Sequence, residues 1–96
     1  MNVDFTSVRN ANERAVCAAV ATHARAYPGV ANDPGLLADV ACVALNRLPP
    51  RYIRHEVDFS FYRSEREREK GDRLVGEAVQ YAFGFVQARS AMRARA

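Results

Sequence analysis

The sequence predicts a mainly α-helical domain: three helices and one short extended segment. Apolar residues recur at three- and four-residue steps over three long stretches. Proline pairs with a turn or capping residue between those stretches, at Pro28-Gly29, Asp33-Pro34 and Pro49-Pro50. At 96 residues the chain makes one domain with a modest core, so pairing with a second copy is an easy route to further burial.

The first predicted helix runs from Thr6 or Ser7 to Tyr27, with Val8, Ala11, Ala15, Val16, Ala19, Val20 and His23 on one stripe. Pro28-Gly29 is expected to end it. Asp33 then supplies an N-cap carboxylate and Pro34 the first helical position of the second helix. Leu36, Leu37, Val40, Ala41, Val43, Ala44, Leu45 and Leu48 make this helix apolar on most sides, as a central or seam helix would be. Pro49-Pro50 stops it, biasing Leu48 out of the helical region and fixing an extended exit. Val57, Phe59 and Phe61 alternate beyond the corner, the pattern of a short edge strand able to pair across a dimer. Ser64 with Glu67 is a capping box opening the last helix. Its first turns, SEREREKGDR, mix signs as a solvated face does. Leu74, Val75, Ala78, Val79, Ala82, Phe83 and Val86 form its packing face. Gly71, Gly76 and Gly84 each cost about 1 kcal/mol against alanine in a helix, which calls for compensation by close packing on a neighbour. Residues 1–88 make the domain, and 89–96 are expected to be a basic tail that frays from Ala88.

Composition narrows the classes of function. The net charge of +3 resides in Arg89, Arg93 and Arg95; without them 11 basic residues face 11 acidic ones. The body therefore lacks the basic balance of a duplex-binding domain. All but one of the 14 basic residues are arginine, the residue that recognises phosphate and guanine bidentately. No run of about 18 apolar residues is present to span a membrane, and the first residues carry no basic-then-apolar leader. Cys17 and Cys42 fall in apolar helical stretches and are expected to be small buried hydrophobes in a reducing cytoplasm.

Catalytic chemistry finds little support. Cys17 and His23 lie six residues apart on one helix, about 240° around its axis, and point apart. His55-Glu56 are adjacent and face different ways in extended chain. Phosphate-cradling glycine loops, nucleophile elbows and metal motifs are missing. His55, Glu56 and Asp58 are hard ligands, but three within four positions occur readily by chance. The protein is expected not to be an enzyme. Residues 46–56 offer a different kit. Asn46, Arg47, Arg51, Tyr52, Arg54, His55 and Glu56 combine guanidinium groups for phosphate or guanine, a carboxylate for guanine's other edge and a ring for stacking. The plainer alternative makes Arg47 and Arg51 helix C-terminal cations and packs Tyr52 on the core.

The stretch DVACVALNRLPPRY, Asp39 to Tyr52, resembles the late competence protein ComFB family at DVA, ALN and LPPRY. The resemblance extends to Asn10, Glu13 and Val16, similar to the family's N-x-x-E-x-x-V, and to Tyr27-Pro28 with Val30, similar to its Y-P-x-V. It touches most of residues 8–62 and thins in the last helix. What the resemblance implies is a symmetric homodimer that receives a cyclic dinucleotide, cyclic di-GMP or cyclic di-AMP, in the cytoplasm and regulates motility, type IV pili or competence. Arginine richness favours cyclic di-GMP. An isologous dimer suits a ligand of near two-fold symmetry. The expected ligand-binding residues are Arg51, Tyr52, Arg47, Asn46, Arg54, Glu13 and Asn10. One departure stands out. Members with a zinc-binding cysteine cluster place it where this chain has Ala31, Asp33 and Leu36, so no zinc is expected, and the Asp33-Pro34 cap is the expected replacement. The alternative function is an adaptor in the same pathways that binds protein partners and no nucleotide.

Overall fold

The computed structural model describes residues 1–57 and 63–95. Among them the order is a 3-10 turn (Phe5–Ser7), β1 (Arg9–Asn10), α1 (Asn12–His23), a second 3-10 turn (Ala24–Ala26), α2 (Pro28–Ala31), α3 (Pro34–Arg47), β2 (Tyr52–Ile53) and α4 (Glu65–Arg95). The expected helical class is observed, with one helix more among the described residues than the sequence suggests.

The predicted first helix is broken at both ends. At its start, Asp4 caps the 3-10 turn, accepting from the Thr6 hydroxyl and from the Thr6 amide at 3.0 Å. Those bonds hold the Asp4 carboxyl below its ordinary pKa. Val8 is extended, and the chain becomes helical only after Asn10. At its other end Tyr27 precedes a proline and leaves the helical region, at φ −129° and ψ 71°. Pro28 then starts a one-turn helix, where the break was expected, because its fixed φ and missing amide suit a first helical position. The Asp33 carboxylate caps α3 by accepting from the Leu36 amide at 3.1 Å. Leu48 is extended before the prolines, and Ser64 Oγ accepts from the Glu67 amide at 3.1 Å to open α4.

α4 is the common wall of the fold and packs against both α3 and α1. Val75, Ala78, Val79, Ala82, Phe83 and Val86 on α4 meet Val16 and Val20 from α1, Val30 from α2, and Val40, Ala44 and Leu48 from α3 and its cap. Tyr27 stacks on Phe83 with ring centroids 4.5 Å apart and planes 5° apart, which fixes the α1–α2 break against the core. β1 and β2 pair antiparallel, Arg9 opposite Ile53 and Asn10 opposite Tyr52. Of the expected extended segment, Tyr52–Ile53 therefore pairs within the chain. Phe59 and Phe61 of the expected edge strand lie outside the described residues, and Val57 sits in a helical turn.

Several local expectations are corrected. Cys17 and Cys42 are exposed; each lies one or two residues past a core valine, Val16 or Val40, and so turns 100° or 200° off the buried stripe. Val8 and Ala15 are likewise exposed, which narrows the α1 stripe to buried Val16 and Val20 with Ala19 packed beside them. Leu74, expected on the packing face, is partly out of it. Among the described residues, nothing beyond the helix's own neighbouring backbone lies within 4 Å of a Cβ placed at Gly76 or Gly84, while at Gly71 it would overlap the Arg63 guanidinium. Helix α4 continues to Arg95, past the point of expected fraying. Arg89 is tied to Asp39 of α3 at 3.5 Å and lies 5.3 Å from the Phe85 ring.

Because Phe83 is fully buried and stacked, Phe83→Ala should cost about 3–5 kcal/mol of unfolding free energy. Urea denaturation followed by far-UV circular dichroism measures it, and a loss below about 1 kcal/mol would remove Phe83 from the centre of the core.

Candidate functional site

The proline corner is fastened to the start of α1 by backbone and asparagine groups. Asn10 Oδ1 accepts from two amides, Asn12 at 3.0 Å and Arg51 at 3.2 Å. Asn12 Nδ2 donates to the Pro49 carbonyl at 3.0 Å. The Ala11 amide donates to the Arg51 carbonyl at 2.6 Å. Two prolines cannot donate, so the corner's polar needs fall on its carbonyls and on the Arg51 amide. The asparagines meet them. Asn10 is half-buried and its acceptor is spent on this strap, so it shapes the corner.

The fastening presents Arg51 to a cleft of about 230 Å³ between the corner and the first turns of α4. Leu48, Pro49, Leu74 and Val75 give the cleft apolar walls. Arg63, Lys70 and Glu67 join Arg51 around it, and Asn12 reaches the same space. Arg63 Nη2 donates to the Glu67 carbonyl at 3.2 Å, lying along the first turn of α4 beside Gly71. A methyl group at position 71 would displace that guanidinium, the flexible end of the arginine side chain. Nearby on the same turn, the Glu65 hydrogen bond raises the pKa of Arg68.

The other expected ligand residues are dispersed. Arg47 lies over the Tyr81 ring, its guanidinium carbon 3.6 Å from the centroid, and borders an adjoining cleft with Glu77. Asn46 Nδ2 donates back to the Cys42 carbonyl at 3.0 Å and so folds onto its own helix. Tyr52 is 69% exposed on β2, which overturns the alternative that it packs on the core. Arg54 follows β2 in an exposed bend. Glu13 borders a different cleft, with Arg9, Arg14 and Glu56. There the Glu56 carboxylate pairs with Arg14 at 2.6 Å and Arg9 at 3.4 Å. Arg51 and Glu13 thus face separate spaces. Arg63 and Lys70 were missed because they sit in a run of alternating charges that reads as a solvated face; only the packing of α4 against the corner selects them.

Ala31, Asp33 and Leu36 do not fit a zinc ion: one carboxylate is the only ligand among them, and it caps α3. Among the described residues no three His, Cys, Asp or Glu side chains converge as a metal site would require. No helix among them is long and apolar enough to cross a membrane.

A small helical domain with a short two-stranded clasp and a cationic cleft at a proline corner is the class that fold and site define. The model of the late competence development protein ComFB family matches residues 9–90, and the chain belongs to that family. No curated protein and no solved structure matches the chain.

Because Asn10 Oδ1 takes two amides, Asn10→Ala should destabilise the fold by about 1–3 kcal/mol, whereas Asn10→Asp, which keeps the acceptor, should cost less. Equal losses for both variants in chemical denaturation would show that the strap does not depend on that oxygen.

Proposed function

We propose that the protein is a cyclic dinucleotide receptor acting as a homodimer in the cytoplasm, with cyclic di-GMP as its preferred ligand. The observation that carries this reading is the convergence of Arg51, Arg63 and Lys70 on a cleft with apolar walls. Cations placed around a flat apolar surface suit a nucleotide, which is anionic at phosphate and planar at the base. Glu67 in the same cleft favours guanine, because a carboxylate can accept from the donors on guanine's Watson–Crick edge. The cleft is smaller than the roughly 300–1,000 Å³ of pockets for drug-sized ligands, so one copy takes part of a cyclic dinucleotide. A symmetric ligand then calls for the same groups from a second copy. Among the described residues no nucleophile–base pair lines the cleft, and binding without turnover is the proposed activity. Family membership points to competence as the pathway, with motility and type IV pili as the related outputs of a second-messenger receptor. The downstream partner is a protein. The basic residues of α4's last turns are not proposed to bind nucleic acid.

Calorimetric titration with cyclic di-GMP and, separately, cyclic di-AMP, with GTP as control, tests the reading. One ligand per dimer at micromolar affinity or tighter is expected for cyclic di-GMP. Two intercalated ligands per dimer would keep the receptor and change its geometry. No heat with either ligand would turn the assignment to the adaptor. Arg51→Ala should abolish binding with the helical spectrum unchanged, and unaltered affinity would remove Arg51 from the site. Metal analysis of the purified protein should find no stoichiometric zinc; finding it would refute Asp33 capping as the replacement.

A further inference from the structure

We infer that Arg47 and Glu77 form a base-reading subsite for guanine, beside the cationic cleft that takes the phosphate. This subsite rests on the nucleotide reading above and gives the nucleotide its direction at the proline corner. The two clefts there are one groove. Leu48, Pro49 and Leu74 wall both, and the second adds about 210 Å³ bordered by Arg47, Glu77 and Ala78. On α4 the row Glu67, Lys70, Leu74 and Glu77 recurs at three- and four-residue steps, so one side of the helix lines the groove. Charged groups stand at both ends of that row, with Leu74 between them. Lys70 and Glu77 are seven residues apart, about 10 Å along the axis. That is the reach of one nucleotide from its phosphate to the far edge of its base. Joined, the clefts enter the low end of the roughly 300–1,000 Å³ of small-molecule pockets, room for one such unit of the ligand.

The unpaired charges set the direction. Arg47 and Glu77 border the same compartment, yet among the described residues neither side chain has a salt bridge or a hydrogen bond. The Arg47 guanidinium carbon lies 3.6 Å from the Tyr81 ring centroid, a contact that engages its face and leaves its edge donors for another partner. The cleft at Glu13 differs, since Glu56 there already answers Arg9 and Arg14. An arginine and a carboxylate held apart suit a planar group with acceptors on one edge and donors on the next. Guanine is such a group. Its O6 and N7 accept from an arginine fork, and its N1–H and N2 amino group donate to a carboxylate. Adenine instead sets an amino donor against the arginine and a ring acceptor against the carboxylate, and both contacts turn repulsive. Glu67 shares its compartment with three cations, which favour phosphate there. Guanine selection therefore falls to Glu77 more than to Glu67.

The test is calorimetric titration of the full chain with cyclic di-GMP and with cyclic di-AMP. Glu77→Gln and Arg47→Lys should each weaken cyclic di-GMP binding by about tenfold or more, with cyclic di-AMP unchanged or tighter. Lysine keeps a charge near Tyr81 and loses the planar fork. Glu67→Gln should lower the selectivity less than Glu77→Gln does. Both Arg47 and Glu77 are exposed, so the helical spectrum should not change. A wild type that binds cyclic di-GMP, with either variant keeping its full preference over cyclic di-AMP, would overturn the two-residue subsite and leave the receptor standing. A wild type that prefers cyclic di-AMP would overturn the guanine assignment. A wild type that binds neither would overturn the subsite and the receptor together.

Discussion

The structure depends on one acceptor atom. Asn10 Oδ1 takes the amide that begins α1 and the amide that follows the two prolines, and so joins the two ends of a loop of about forty residues. Neither amide has another role available at that point: one is an orphan donor of a helix start, the other sits on a corner whose neighbours cannot donate. Asn12 returns the contact by donating to Pro49, and the clasp of β1 with β2 closes around both. An amide side chain with an acceptor and donors at hand does what a hydrophobic residue could not. The direction of Arg51 follows from it.

Helix α4 supplies the second constraint. Its buried side is a run of small and branched residues around one phenylalanine, which lets α1 and α3 approach it together. The same helix carries Arg63 at its threshold and Lys70 in its first turns, so the packing that buries Phe83 also delivers cations to the corner. Farther along, Arg47 covers Tyr81, Tyr81 stacks near Phe85 with centroids 6.2 Å apart, and Arg89 lies over Phe85 while reaching Asp39. That ladder binds the outer edge of α3 to α4 through guanidinium faces and rings. It also explains why Arg47, close to Arg51 in sequence, serves a different neighbour.

The α2–α3 junction is ordered by local signals. Pro28 and Pro34 each occupy a first helical position, and the Asp33 carboxylate meets the Leu36 amide between them. Fixed φ angles and one charged cap thus set where both helices begin.

The sequence alone determined the helical class, the Asp33 and Ser64 caps, the stop at Leu48 and nearly all of the α4 core, because caps, prolines and a 3.6-residue period are local signals. It also carried the family resemblance, through LPPRY and the first-helix asparagine and glutamate. Tertiary structure decided the rest. Whether Asn10 continued a helix or ended a strand depended on the Arg51 amide, 41 residues away. The exposure of Cys17 and Cys42 depended on which sides of α1 and α3 met α4. The candidate cleft was half legible: Arg51 was singled out, while Arg63 and Lys70 were hidden in a charged run, since a list of charges does not say which of them a neighbouring element will face. Local preference sets where a helix begins and ends; only the packed partner sets which of its sides becomes a site.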